Sequence, residues 1–190
     1  MSPRIAVVTG AAGGMGRAIT DRLMADGLHV VGVDIDAPAL LMMSADLGAG
    51  FTPESVDLTD PEAIADLFDR LTTRFGGVDA LVNNAGTCFM SEFPNIPAHE
   101  FDRQMAINFG SAFHCCQGAV KAMLPRPGVR KIVNISSNGA YNFDVFDPPH
   151  YRASKAAMDT LTKDLARRYA REKIAVNSIA PAMTETPLFN

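Results

Sequence analysis

The 190-residue sequence has no tryptophan, three cysteines and four histidines. Each scarcity removes a class of explanation. Cys88, Cys115 and Cys116 are odd in number, two are adjacent, and none stands at metal-ligand spacing. Neighbouring cysteines pair only with strain, so a reduced, cytoplasmic setting is expected rather than a disulfide scaffold. His29, His99, His114 and His150 are scattered without a ligand grouping, and no metal is assigned. Positive charge is not in excess: 17 Lys and Arg face 21 Asp and Glu, a formal net charge of -4. No chain-wide basic field exists to gather a phosphate backbone, so no nucleic-acid partner is expected. No apolar run nears the ~18 residues of a membrane span, and no membrane partner is assigned. The opening Met1-Ser2-Pro3-Arg4 leads directly into Ile5-Ala6-Val7-Val8 and a glycine cluster, which is not a signal-peptide pattern. Repeats, linkers and low-complexity tracts are missing too.

What is present is an alternation. Apolar residues make up 47% of the chain, enough to bury one sizeable core, and residues 1–190 read as one domain. β-Branched runs at residues 5–8, 30–33, 80–82, 131–135 and 174–179 read as strands. Residues 51–56 read as a weaker strand because Pro53 sits inside it. Helical periodicity fills the gaps: residues 15–25, ending at Gly27; 38–47; a segment starting at Pro61 after Thr59 or Asp60; one long helix over 98–123; and 151–170, beyond the Pro148-Pro149 breaker. Strands apolar on both faces, alternating with helices, predict an α/β fold with a doubly wound parallel sheet.

Residues with chemical potential gather at the carboxyl ends of these strands, where such sheets bind ligands. The first strand runs into Thr9-Gly10-Ala11-Ala12-Gly13-Gly14-Met15-Gly16, which opens a helix. A lone glycine cluster is equally explained by a loop that needs positive φ, but the strand before and helix after suit a pyrophosphate at a helix N-terminus. The next strand ends in Asp34, whose carboxylate can accept from the ribose hydroxyls of NAD and would repel the 2′-phosphate of NADP. No Lys or Arg lies between Thr9 and Gly16; Arg17 is the one nearby cation that would weaken this preference.

Tyr151 and Lys155 stand about one helical turn apart, on one face of a helix. Alone, that spacing usually marks a surface pair. Bringing a tyrosine hydroxyl from ~10 to near neutrality takes about 4 kcal/mol, more than one exposed ion pair supplies. A partly desolvated site is therefore expected, with the positive nicotinamide contributing. Ser136-Ser137 and Asn83-Asn84-Ala85-Gly86 close two further strands, and Asn108 lies within the long helix. Residues 138–150 interleave Tyr141, Phe143, Val145 and Phe146 with Asp144 and Asp147, reading either as an apolar substrate wall or as loop packing and a subunit contact.

From Thr9 to about Thr186 these motifs resemble the classical short-chain dehydrogenase/reductase family. The resemblance implies a Rossmann fold binding NAD, with Gly10, Gly14, Met15 and Gly16 in the phosphate loop and Asp57-Leu58 at the adenine. It places Asn84, Ala85 and Gly86 beside the cofactor, and Pro181 and Thr186 near its carboxamide. Asn108, Ser137, Tyr151 and Lys155 fall on the catalytic tetrad: Tyr151 as general acid/base, Ser137 orienting the substrate oxygen, Lys155 holding the ribose and lowering the Tyr151 pKa, Asn108 supporting a proton relay. The implied partners are a small-molecule alcohol or carbonyl substrate and further copies of the chain, as a homodimer or homotetramer. Three departures stand out. One extra residue separates Ser137 from Tyr151, leaving Ser136 as an alternative serine; Ala182 follows Pro181 where glycine is usual; and the sequence stops at Asn190, before the family's covering helices and last strand, so a C-terminally shortened chain is expected. The expected activity is hydride transfer between nicotinamide and a secondary alcohol or ketone. Alternatives are a 3-oxoacyl thioester reductase and a non-catalytic dinucleotide-binding or redox-sensing module.

Overall fold

β-Branched residues bounded by turns form the strands of the computed structural model, which describes residues 3–143 and 147–184. The strands are β1 (Ile5–Thr9), β2 (His29–Asp34), β3 (Phe51–Ser55), β4 (Ala80–Asn83), β5 (Arg130–Ile135) and β6 (Ile174–Ile179). All pair in parallel, in the order β3-β2-β1-β4-β5-β6. The chain steps outward from β1 in both directions, so a crevice opens at the carboxyl ends of β1 and β4, where the winding reverses. Pro53 is tolerated because β3 lies at a sheet edge, where a missing N–H need not interrupt a ladder.

Side chains alternate across the sheet. Ile5 and Val7 enter one apolar cluster with Leu67, Phe68, Cys115 and Met123; Ala6 and Val8 enter another with Leu40, Met43 and Phe51. The first cluster packs α3 (Pro61–Phe75) and α5 (Ser111–Met123) on the sheet, and the second packs α1 (Gly14–Ala25) and α2 (Ala37–Leu47) on the opposite face. α3 starts where expected: the Asp60 carboxylate accepts from the backbone N–H groups of Glu62 and Ala63, and Pro61 takes the first helical position.

Two helix boundaries differ from the sequence reading. α6 (Pro149–Arg168) begins before Tyr151, because Pro149 occupies a position whose N–H would have no partner. The single helix expected over residues 98–123 is interrupted: α4 (Ala98–Met105) leads into a π turn, Ala106–Gly110, before α5. Such a turn adds a residue without breaking the rod, so hydrophobic periodicity passes over it. Among the described residues no helix is long and apolar enough to cross a membrane.

Candidate active site

The glycine loop is shaped by what cannot fit in it. A Cβ on Gly16 would overlap the Gly10 carbonyl and lie 2.8 Å from the Ala11 Cα; one on Gly10, at φ +62°, would lie 2.9 Å from the Ala85 Cα. Beside the loop, the Thr9 hydroxyl accepts from the N–H groups of Asn84 and Ala85, both at 3.0 Å, while the Asn84 amide donates to the carbonyls of Thr9 and Gly10. The tips of β1 and β4 are thereby stitched together. Thr9 was not singled out from the sequence, although a hydroxyl on the last strand residue was the available signal.

A cleft of about 850 Å³ opens over this loop. Gly10, Gly14 and Met15 form its floor, Asp34, Asp57 and Leu58 one side, and Asn84, Ala85 and Gly86 the other. Gly16 is buried beneath the loop rather than lining the cleft. Asp34 is half-buried and accepts from the N–H groups of Ala12 (3.0 Å) and Asp36 (3.1 Å). The Thr59 N–H and hydroxyl both donate to Asp57, holding its carboxyl below the usual range. Arg17 is engaged by Asp21 at 2.9 Å and by Asp46.

A second cavity of about 180 Å³ continues from the first, sharing Met15, Asn84, Gly86 and Thr87. Ser137, Tyr151, Lys155 and Pro181 line it; Thr186 lies outside the described residues. Lys155 is buried, its Nζ donating to the Ile135 carbonyl at 2.9 Å and lying 5.9 Å from the Tyr151 ring centre. Burial pushes the Lys155 ammonium down to about 8. Burial also raises the Tyr151 hydroxyl, outweighing the hydrogen bond with Ser137 that lowers it; the charges of Cys88 and Asp147 push the same way as burial. The two serines are distinguished by their partners. Ser136 donates to the Asp159 carboxylate at 2.9 Å, whereas Ser137 accepts from the Gly139 N–H at 3.1 Å and meets Tyr151.

Asn108, inside the π turn, is fully buried. Its carbonyl accepts from the Thr87 N–H (2.8 Å), and its amide donates to the Thr87 carbonyl (2.9 Å) and the Ser154 hydroxyl (3.1 Å), which in turn donates to the Tyr151 carbonyl (2.6 Å). Gln104, four residues earlier, holds the same loop, accepting from the Phe89 N–H (3.0 Å) and donating to the Thr87 carbonyl (2.6 Å). Gln104 was overlooked, although a second polar side chain on Asn108's helical face was a readable signal. A Cβ on Gly86 would stand 3.3 Å from Lys155 Nζ and 3.4 Å from Asn108 Oδ1. The motif glycine thus keeps a gap open between these two groups.

Among the described residues, the wall after Ser137 is polar. Tyr141 and Phe143 are 53% and 89% exposed and do not line the cavity. Val145, Phe146 and Asp144 lie outside the described residues. Asn138, Gly139, Asn142 and Asp147 line it instead, and the Asn138 N–H donates to the Pro181 carbonyl at 2.8 Å, tying this loop to the segment after β6.

Comparison with known proteins bears directly on this geometry. Residues 4–190 match the short chain dehydrogenase family. The chain belongs to that family. It is 36% identical over 190 residues to the D-beta-hydroxybutyrate dehydrogenase of Rhizobium meliloti (strain 1021), covering 97% of this chain and 73% of that protein. It is 32% identical over 190 residues to a 3-oxoacyl acyl-carrier-protein reductase of Escherichia coli (strain K12), covering 97% and 75%. The ligand-free aldohexose dehydrogenase of Thermoplasma acidophilum superposes with a TM-score of 0.88 at 30% identity, over 98% of this chain and 69% of that one. This short-chain dehydrogenase is thus an oxidoreductase by family, built on a single α/β domain.

Proposed function

We propose that the chain is a single NAD-binding catalytic domain that oxidises a secondary alcohol, or reduces the matching ketone, with Tyr151 as general acid/base. The observation that carries this reading is the continuity of the two cavities: the group of Tyr151, Ser137 and Lys155 sits where the glycine-floored cleft ends.

The cleft suits a dinucleotide. Gly10 and Gly16 let the loop fold tightly against Ala85 and Ala11, and Gly10, Gly13 and Gly14 then line the cleft at the start of α1, where backbone N–H groups can meet a pyrophosphate. Asp34 offers acceptors for ribose hydroxyls and repulsion for a 2′-phosphate, and Arg17 is already held by Asp21 and Asp46. Both features favour NAD over NADP. When bound, NAD supplies the carbon that accepts or returns the hydride. Tyr151 takes the substrate's hydroxyl proton on oxidation and gives it back on reduction, and the Ser137 hydroxyl fixes the substrate oxygen beside it. Lys155 holds the ribose, and its positive charge favours the Tyr151 phenolate. Asn108 and Gln104 fix the loop carrying Gly86 and Thr87, with Asn108 positioned for a proton relay.

The three named relatives act on an acid, a thioester and a sugar, so names alone do not choose the substrate. We expect a cytoplasmic enzyme, its cysteines kept as thiols, that pairs through the face carrying the exposed Phe101 and Phe113. Titration calorimetry tests the nucleotide half: NAD binds more tightly than NADP, and Asp34→Ala narrows the difference. Tyr151→Phe lowers kcat by about 10²–10⁴ while NAD binding persists. Absence of binding by either dinucleotide rules the reading out.

A further inference from the structure

The smaller cavity is also lined by a carboxylate whose placement the hydride-transfer reading does not use. Asp147 is half-buried and lines the smaller cavity. A Cβ on Gly139 would overlap the Asp147 carboxylate and stand 3.4 Å from Ser137 Oγ, so the carboxylate rests against Gly139 on the same side as the serine hydroxyl. The residue is held from behind through its backbone: Arg152 donates from Nε to the Asp147 carbonyl (2.8 Å) and from a terminal nitrogen to the Asn142 carbonyl (2.7 Å), with its guanidinium 5.7 Å over the Phe143 ring. That cation braces the main chain and leaves the carboxylate facing the cavity. Among the described residues no side-chain or backbone donor bonds the Asp147 carboxylate, and Lys155 is the only cation lining the cavity, its ammonium directed to the Ile135 carbonyl.

An ionised carboxylate in such a wall can only accept hydrogen bonds. Resting on the proposed alcohol/ketone chemistry, we infer that Asp147 selects the substrate: a neutral polyhydroxylated alcohol or hydroxyketone whose hydroxyl next to the reacting carbon donates to the Asp147 carboxylate, while substrates bearing a carboxylate at that end are rejected. Asn138 and Asn142 add neutral donors and acceptors to the same wall. The sequence resemblance leaves this residue unassigned, because it lies in the loop between the motif serine and tyrosine.

The test compares three ketones with NADH: 1-hydroxy-2-butanone, 2-butanone, which lacks the neighbouring hydroxyl, and acetoacetate, which carries a charge. Wild-type kcat/KM is expected to favour the hydroxyketone over 2-butanone by about tenfold to a hundredfold, the worth of one hydrogen bond to a charged group. Acetoacetate should be the poorest. Asp147→Ala should bring the hydroxyketone to the level of 2-butanone, and the isosteric Asp147→Asn should improve acetoacetate about tenfold. A second readout separates selection from mere loop support. Ser137, Cys88 and Asp147 act on the Tyr151 hydroxyl, Lys155 Nζ stands 5.9 Å from its ring centre, and the Asp147 charge raises Tyr151; Asp147→Asn should therefore shift the tyrosine-dependent limb of the rate profile to lower pH. Equal or better use of acetoacetate by the wild type, or an unchanged ketone ranking in both variants, overturns the inference. If no ketone is turned over, the oxidoreductase reading fails separately. Quenching of bound NADH fluorescence by hydroxyketone and by acetoacetate then decides, and wild type and Asp147→Ala behaving alike would sink it.

Discussion

Replacing Lys155 by methionine should make the cofactor-free protein more stable while abolishing its chemistry. Methionine keeps the length and apolar stem of the side chain and removes the charge. The ammonium is buried, and its pKa falls from 10.5 to about 8, which places the penalty of keeping it charged in the folded protein at about 3 kcal/mol near neutrality. Against this, the variant loses the hydrogen bond to the Ile135 carbonyl, about 1–2 kcal/mol. The net expectation is a gain of about 1–2 kcal/mol, raising Tm by roughly 2–8 °C for a domain of this size. Because the folded pKa is the lower one, the unfolded chain binds the extra proton between pH 8 and 10.5. Wild-type stability should therefore climb through that window as the penalty disappears, whereas the variant lacks this climb and its advantage shrinks. Urea unfolding followed by circular dichroism at pH 7 and pH 9.5, without cofactor, reads both effects. A Lys155→Met protein less stable than wild type at pH 7, with a gap that does not change with pH, would refute the argument that burial of this charge is a net liability.

Two further substitutions probe the site. Gly16→Ala puts a methyl into the Gly10 carbonyl and within 2.8 Å of the Ala11 Cα; at about 1–3 kcal/mol for such overpacking, NAD affinity should fall roughly ten- to hundredfold, and calorimetry showing undiminished affinity would contradict the cradle. Ser137→Ala should cut kcat by about 10²–10³, whereas Ser136→Ala, which strips Asp159 of a donor, should cost about 1–3 kcal/mol of stability and leave kcat within about tenfold. Steady-state kinetics paired with thermal melts would expose the reverse ordering.

Much of this is legible in the sequence. Glycine and proline punctuation, with apolar runs between, located the strands closely, because strands buried on both faces leave a strong compositional trace. The weak strand around Pro53 was rightly a strand, its proline accommodated at the sheet edge. The placement of Asp34 at a strand end and of Tyr151 and Lys155 along one helix was readable because those spacings are local. What escaped depends on distance in sequence. Nothing in Ser136-Ser137 says which hydroxyl will meet a carboxylate 23 residues on. Thr9 gains its part only once β4 lies beside β1, and the loop before Tyr151 reads as aromatic although its described cavity wall is polar, since Tyr141 and Phe143 stand outside that wall.

The π turn at Ala106–Gly110 has a consequence for how this molecule can change. Excising one residue there would restore an unbroken rod and rotate one side against the other by about 100°, so that either Gln104 would swing away from Thr87 and Phe89 or Cys115 and Cys116 would leave the interior. The supernumerary residue decouples the two halves. α5 is answerable chiefly to α3 and the sheet, α4 to α6 and the loop it grips, so the two halves settle against different partners.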